Sequence, residues 1–277
     1  IWFRSKIIGE FYNFQIMIMN MKKRIYINHA FRIMCLVLVL SLIPIVFSCK
    51  KVPLTNGKVI TETRELPTFN ELKLYDNIDV TLISSDISKI EITTGENLLP
   101  NIMIDVVDGA LFLKNENTCN WIRSYDCPLE AKIYFSGDIT SIYYESVGFL
   151  KTNDYIMDDS TSRFDLQIED GSGEINLKIN CKSLYITSNF GTNDIIFEGK
   201  ADYTCISQRG LGPIKAENFP TKIADVYSYS SNNIYVNGYE KLNSYIYDIG
   251  SIYYKGDPII NSYISPLAKG KLISIDD

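Results

Sequence analysis

The stretch Gly171-Ser172-Gly173-Glu174-Ile175-Asn176-Leu177-Lys178-Ile179 decides the fold that the sequence predicts. Its two glycines favour a tight turn, because glycine adopts backbone conformations that other residues avoid. The apolar residues that follow alternate with polar ones, which is typical of a strand with one buried face. Weaker copies, in which glycine or asparagine is followed two residues later by isoleucine or leucine, occur at Gly148/Leu150, Gly212/Ile214, Asn232/Ile234, Gly250/Ile252 and Gly270/Leu272.

The copies follow one another at a nearly constant spacing, which averages about 20 residues between Gly148 and Gly270. Gly191 has the same phase, although its next aliphatic residue is Ile195. A constant period indicates stacked units that contact only their neighbours. Because the units contain strands without helices, we expect an all-β solenoid with rungs of about 20 residues. Its inward positions should form apolar ladders, for example Ile175, Ile214, Ile234 and Ile252.

Strand-like alternation begins at Leu66, so residues 66–277 are expected to form a single domain. The segments before residue 138 do not follow the glycine period as clearly, and we expect them to form a strand-rich cap at the N-terminal end. A solenoid needs such a cap, because an open terminal rung is an aggregation edge. One helical turn is predicted at residues 97–101.

The first part of the chain has the features of an export signal. A basic segment, Lys22-Lys23-Arg24, precedes an apolar run over residues 33–47, which is short for a membrane-spanning helix. Val46-Phe47-Ser48-Cys49 resembles a bacterial lipobox, whose cysteine carries the lipid. Residues 21–48 are therefore predicted to be a lipoprotein signal peptide. The alternatives are an ordinary signal peptide and a retained membrane anchor. We expect residues 1–20 to be over-extended translation and residues 49–65 to be a tether.

The net charge and the histidine content of the chain after residue 48 exclude several classes of function. The leader holds six of the 27 basic residues and one of the 33 acidic ones, which leaves a net charge of −11 after residue 48. Such a chain repels phosphate backbones, so no nucleic-acid partner is expected. The single histidine, His29, lies in the leader. A histidine base and a histidine metal site are therefore excluded from the mature chain.

Four cysteines remain after Cys49, and an oxidising compartment permits them to pair. Cys119 and Cys127 lie close in sequence, so we expect a disulfide that closes a short loop, contributing about 2–3 kcal/mol. Cys181 and Cys205 have two open interpretations: a bond between neighbouring rungs, or two free thiols.

Tyrosines are concentrated near the C-terminus. On successive rungs they would form an aromatic strip that suits binding to a sugar or a protein. The alternative is that tyrosine packs well on a pleated sheet face and has no binding role. The residues assigned to the possible binding surface are Tyr227, Tyr229, Tyr235, Tyr245, Tyr247, Tyr253 and Tyr254.

Acidic residues suggest two further sites, each with a simpler alternative. Asp158-Asp159, Glu169-Asp170 and Asp126 could supply oxygen ligands for calcium, but the calcium-binding repeat pattern is absent and solvated turns explain them. A polysaccharide-active site would need converging carboxylates and a base. Its candidates are Asp194, Asp225, Arg209 and Lys215. We expect no metal, no cofactor and no enzymatic activity.

Several motifs, in order, resemble one known family of exported bacterial domains, called putative auto-transporter adhesin, head GIN domain. They are Phe69-Asn70-Glu71-Leu72, the strand Asn77–Leu82, Asn97-Leu98-Leu99, Asp108–Leu113 and the Gly171 rung. The resemblance covers residues 66–275, and the tyrosine-rich late rungs depart from it. It implies a right-handed, single-stranded parallel β-helix of a Bacteroidetes-type lipoprotein, without an established enzymatic activity.

The sequence therefore favours a non-enzymatic cell-envelope lipoprotein, which binds a glycan or a protein as an adhesin. A polysaccharide-active enzyme and a structural or signalling envelope component are the alternatives. The lipid on Cys49 would supply the membrane contact. Lys50 and Lys51 follow that cysteine, where surface-exported lipoproteins of this group carry acids, so the periplasmic face of the outer membrane is slightly favoured over the cell surface.

Overall fold

The computed structural model describes Met34, residues 55–118 and residues 126–275. All its strands belong to one compact unit, Pro53–Asp277. They are β1 Val59–Glu65, β2 Glu71–Asp76, β3 Asp79–Ser84, β4 Lys89–Gly95, β5 Ile102–Val107, β6 Ala110–Asn115, β7 Glu130–Phe135, β8 Ser141–Thr152, β9 Met157–Ser188, β10 Thr192–Gln208, β11 Ile214–Ser228, β12 Ile234–Ile246, β13 Ile252–Lys255, β14 Ile259–Ile264 and β15 Leu272–Ser274. A 3₁₀ turn at Leu99–Asn101 confirms the predicted helical turn. The predicted all-β class is confirmed.

The 15 strands join one sheet, in the order β1-β4-β7-β3-β8-β9-β10-β11-β12-β13-β15, with β14 paired to β12. Among the described strands, antiparallel pairs occur only near the start: β1 with β4, β4 with β7, and β5 with β6. From β8 onward the described strands pair in parallel. The N-terminal strands therefore lie at one end of the sheet, and β14 and β15 lie at the other.

The parallel strands repeat at a regular offset along the chain. From β9 to β15 the paired residues are separated by 17 to 20 positions, as between Ser188 and Gln208 or Gln208 and Ser228. The step from β8 to β9 is longer, at 24 to 25 positions. The pairing thus reproduces the spacing that the glycine pattern predicts.

An apolar ladder runs through these strands. Ile175, Ile214, Ile234 and Ile252 occupy it as predicted, and Ile195 completes it between the first two. Each of these side chains is at most 1% exposed. Burial of one such side chain stabilises the fold by about 1.5–3 kcal/mol, so the ladder is a main source of stability.

The tight turn predicted at Gly171 and Gly173 is wrong. They do not form a turn between strands, because pairing continues through them: Gly171 lies opposite Ser146 and Gly173 opposite Gly148, within β9. Their φ angles are +132° and +114°, and a Cβ atom would lie 1.9 Å from the Ser146 oxygen and 1.7 Å from the Gly148 oxygen. Glycine is required here because the adjacent backbone occupies the space of a side chain.

Among the described residues, no helix has the length and apolar character needed to cross a membrane. Apart from Met34, the signal peptide lies outside the described residues, as do Cys49 and the first part of the tether, so those assignments stay predictions.

Candidate binding surface

Two pairs of tyrosines stack face to face on neighbouring strands. The ring centroids are 4.6 Å apart, with planes inclined by 4°, in both Tyr227–Tyr245 and Tyr229–Tyr247. The spacing follows from the ladder, because Tyr227 pairs with Tyr245 and adjacent strands lie about 4.8 Å apart. Tyr263 continues the column opposite Tyr245, and its ring lies 5.8 Å from that of Tyr247. These five residues are called the tyrosine cluster.

Several ring faces in the cluster are already in contact with a neighbour. The Arg209 guanidinium lies 4.9 Å above the Tyr229 ring, while Tyr247 covers its other face. Tyr247 itself lies between Tyr229 and Tyr263, whose ring is tilted by 52°. Tyr229, Tyr247 and Tyr263 are 38%, 38% and 49% exposed. The cluster therefore offers solvent mainly ring edges and hydroxyl groups.

The hydroxyl groups of Tyr227 and Tyr247 remain neutral donors well above neutral pH. Burial raises the pKa of Tyr227, and the Asp225 carboxylate raises it further. Burial and the neighbouring Tyr229 likewise raise the pKa of Tyr247. A protonated hydroxyl can both donate and accept a hydrogen bond, which suits recognition of peptide groups and polar side chains.

Tyr235 and Tyr253 form a separate stack, with centroids 4.9 Å apart and planes inclined by 13°. They belong to the β12–β13 pairing, whereas the cluster belongs to the pairing of β11, β12 and β14. A corner at Tyr239 and Glu240, where two successive residues are exposed, separates the two parts of β12. Tyr254 packs against the core. The single strip that the sequence suggests is therefore divided into separate groups.

Large apolar side chains are exposed beside the cluster at four corners, those before β10, β11, β13 and β15. They are Phe190 (64% exposed), Leu211 (55%), Ile249 (50%) and Leu267 (90%), and are called the corner ridge. The Leu211 nitrogen lies 2.7 Å from the Gly191 oxygen, which places the corners of Phe190 and Leu211 next to each other. The Lys269 nitrogen lies 3.2 Å from the Asp248 oxygen, which does the same for Ile249 and Leu267. The corner between these two pairs carries Ser230 and Ser231.

The sequence analysis missed the corner ridge, although a signal was present. Phe190, Leu211 and Ile249 each immediately precede a glycine of the repeat, at a position that a solvated turn normally gives to a polar residue. Scattered exposed apolar residues are normal, whereas exposed apolar residues on neighbouring corners favour an interaction site. Together with the tyrosine cluster, the corner ridge forms the candidate binding surface.

The residues considered for catalysis are engaged in separate contacts. Lys215 Nζ lies 3.3 Å from Asp194 Oδ2. Asp225 accepts hydrogen bonds from Tyr203 Oη at 2.6 Å and Asn243 Nδ2 at 2.5 Å. Since Arg209 stacks on a tyrosine, these four residues do not form a set of converging carboxylates with a base.

The carboxylates considered as calcium ligands accept hydrogen bonds from other groups of the protein. Asp158 accepts a hydrogen bond from Asn180 Nδ2 at 2.8 Å, and Asp170 accepts one from the Gly171 nitrogen at 2.7 Å. Hydrogen bonds from Ser162 and Thr161 lower the pKa of Asp159. In the part of the chain that the structure describes, no group of three potential ligands could hold a metal ion.

The structure decides one of the two open questions about the cysteines. Cys119 lies outside the described residues, so its bond to Cys127 stays a prediction. Cys181 and Cys205 are free thiols. Cys181 lies opposite Ala201 in the ladder rather than opposite Cys205, which decides between their two open interpretations.

Cys181 is expected to resist alkylation in the folded chain. Its side chain is buried, and burial raises the pKa of its thiol to about 12, which reduces the reactive thiolate. We expect labelling by iodoacetamide at least about a hundredfold slower at mildly alkaline pH than in urea, measured by peptide mass spectrometry. Equal rates with and without urea would show that the thiol is accessible.

Comparison with known proteins establishes the family. The model of the family described as putative auto-transporter adhesin, head GIN domain, matches residues 68–258. The chain belongs to this family. The match covers well over half of the chain and confirms the resemblance seen in its motifs.

Solved structures show the same fold as this head GIN domain. A putative adhesin from Bacteroides fragilis is 20% identical, with a TM-score of 0.69, covering 80% of this chain and 99% of its own. A putative lipid binding protein from Parabacteroides distasonis is 19% identical, with a TM-score of 0.60 and coverage of 80% and 98%. A putative adhesin from Parabacteroides merdae is 18% identical, with a TM-score of 0.54 and the same coverage. No curated protein matches the chain.

Proposed function

We propose that the chain is a non-enzymatic, adhesin-like binding protein of the cell envelope, which binds a protein ligand through the tyrosine cluster and the corner ridge. The observation that carries this proposal is the exposed apolar ridge, in which Leu211 and Leu267 are 55% and 90% exposed beside the stacked tyrosines. Tyrosine and arginine are enriched at the centres of protein interfaces. Both residue types occur in the cluster, where the Arg209 guanidinium lies over the Tyr229 ring.

The scaffold is a right-handed, single-stranded β-helix. Two features support this architecture: parallel pairing at offsets of 17 to 20 residues, and corners such as Tyr239-Glu240 that divide one strand into two pairing segments. Right-handedness follows the strong preference of parallel crossover connections. Such a scaffold holds Tyr227 and Tyr245 rigidly, because β11 and β12 are each paired on both sides.

A protein ligand fits the cluster better than a glycan does. Sugars bind aromatic residues mainly on the ring face, and the faces of Tyr229 and Tyr247 are covered by Arg209 and by each other. Ring edges, hydroxyls and exposed aliphatic groups remain, and these complement a protein surface. A glycan ligand is the second candidate, because Tyr263 at the end of the column is 49% exposed.

The lipid on Cys49 would anchor the chain in the outer membrane. The tether leads into β1, and β1 lies at the opposite end of the sheet from β14 and β15. The late coils, which carry the cluster, would then point away from the membrane. Lys50 and Lys51 favour the periplasmic leaflet, which would make the ligand a periplasmic protein. Incorporation of labelled fatty acid, lost in Cys49→Ser, tests the anchor.

Replacing both Tyr229 and Tyr247 with serine is expected to weaken ligand binding by about 30-fold or more, because truncation of a central aromatic residue costs about 2 kcal/mol. The matched control replaces the Tyr235–Tyr253 stack with serine and should leave binding unchanged. Envelope proteins and a glycan array supply the ligands, and titration of the captured ligand gives Kd. Equal affinity of both double variants would contradict the proposed surface.

A further inference from the structure

Strand β14 forms an open edge at the C-terminal end of the sheet. Its residues Ile259–Ile264 pair only with β12, and each is exposed. Ile260 and Ile264 continue the core columns of Leu242 and Ile246, which are fully buried one coil earlier. The described residues 265–275 add no strand to this edge. The last coil therefore leaves core-facing residues and main-chain groups open to solvent.

The direction of the hydrogen bonds shows which main-chain groups are free. Ser265 donates its N–H to the Ile246 oxygen at 2.9 Å, so the odd-numbered residues of this segment face β12. Because successive residues of a strand bond to opposite sides, Ile260, Ser262 and Ile264 direct their N–H and C=O groups to the open side. These three residues also lie opposite Leu242, Ser244 and Ile246, and so face the core.

The open edge has an internal two-fold pattern centred on Ser262. Ile260 and Ile264 lie two residues before and after it, and Pro258 and Pro266 lie four residues before and after it. In an antiparallel pair of two such strands, Ser262 would face its own counterpart, and Ile260 would face Ile264. The prolines would face each other at both ends, where their missing N–H groups end the ladder.

Charge also favours self-pairing. The mature chain carries a net charge of −11, so copies repel one another in general. No charged residue occurs between Pro258 and Ala268, and an uncharged edge avoids this repulsion. At the opposite end, β1 carries Glu62, Arg64 and Glu65, which are residues that protect an edge from pairing.

We propose that β14 pairs with the β14 strand of a second copy, end to end, in an antiparallel ladder centred on Ser262. The contact is isologous, because the same patch serves both copies, and it closes as a dimer. Each of the residues Ile260, Ser262 and Ile264 then gains a hydrogen-bonded partner, and the exposed isoleucines are buried. A second copy is favoured over an unrelated peptide because only a copy shares the two-fold spacing of the isoleucines and prolines.

A single cysteine at the symmetry centre tests this pairing. In Ser262→Cys, two thiols face each other across a hydrogen-bonded pair, whose Cα separation of about 5.5 Å permits a disulfide. The full chain is expressed in the bacterium that produces it, and the cells are treated with a mild oxidant. Monomer and dimer are then separated by gel electrophoresis without reductant. We expect a covalent homodimer several-fold more abundant than in the control Asn218→Cys, which is an exposed position on β11. The control carries the same anchor, so crowding in a membrane affects both variants equally.

Three results would overturn the proposal: no homodimer from Ser262→Cys, an equal amount from Asn218→Cys, or an adduct with a different protein. Sedimentation of the purified full chain gives an independent readout, in which wild type is dimeric and Ser262→Pro is monomeric. The proline removes an N–H group that faces the open side and leaves the bonds to β12 intact. A wild-type chain that stays monomeric as its concentration rises would also contradict the pairing. Failure of ligand binding in the tyrosine variants does not alter these outcomes.

Discussion

Replacing Gly173 with alanine is expected to destabilise the fold by about 3–5 kcal/mol, which is a large fraction of the stability of a typical domain. Gly173 has a φ of +114°, where an L-residue is strained, and an added Cβ would lie 1.7 Å from the Gly148 oxygen. The contact cannot be relieved by a side-chain rotation, because Gly148 belongs to the paired backbone of β8. Either the pairing of β8 and β9 separates or the strand bends.

Gly137→Ala is the matched control for this substitution. Its φ is also positive, at +89°, but no atom lies within 4 Å of the position that a Cβ would take. The control should therefore lose only about 1–2 kcal/mol from backbone strain. Urea unfolding followed by circular dichroism measures both variants. If the two alanine variants were equally stable, the close approach of β8 and β9 would be wrong.

Replacing Phe197 with alanine is expected to cost about 3–5 kcal/mol, because the loss of a buried aromatic ring leaves a cavity. Phe197 is fully buried opposite Leu177, and its ring packs edge to face on that of Phe219, with centroids 6.0 Å apart. The ring thus joins the cores of β9, β10 and β11. Unfolding midpoints in urea give the change in stability.

Phe190→Ala provides the comparison for Phe197→Ala. Phe190 is seven positions earlier in the chain and is 64% exposed on the corner ridge. Its removal should change stability by no more than about 0.5 kcal/mol. The same variant should weaken ligand binding if the corner ridge takes part in it. Similar losses of stability in both variants would show that the inward and outward positions are assigned wrongly.

The inward residues could be predicted from the sequence because the core imposes a repeated demand. Each strand of the parallel ladder must place a β-branched or leucine side chain at the same position, so Ile175, Ile214, Ile234 and Ile252 are visible as a pattern. Ile195 was set apart only because its glycine, Gly191, lies four residues before it. The ladder depends on strand register, and a corner can vary in length without moving that register.

The corners and the tyrosine stacks were harder to predict. β9 runs for 32 residues through Gly171 and Gly173, so these glycines mark a close approach of backbones rather than a chain reversal. The stacked pairs Tyr227–Tyr245 and Tyr235–Tyr253 are both 18 residues apart, and the average spacing of about 20 conceals this local offset. Exposure of Phe190 or Leu211 is a property of the folded corner, which composition alone does not reveal.

Family membership and the solved structures establish the head GIN domain and its fold, and the surface of this chain suggests a specific hypothesis for its function. Sequence identity to these structures is 20% or less, so the fold is shared while the surface need not be. In this chain the tyrosine cluster lies beside the corner ridge. We therefore expect its ligand to differ from those of relatives that lack the stacked tyrosines.

Site-specific photo-crosslinking in living cells tests the proposed binding surface most directly. A photoreactive amino acid replaces Tyr247 in the cluster or, as a control, Tyr239, which is 45% exposed at the opposite corner of β12. The account predicts a discrete protein adduct from position 247 that is absent from position 239. The absence of an adduct at position 247, or the same adducts at both positions, would contradict it.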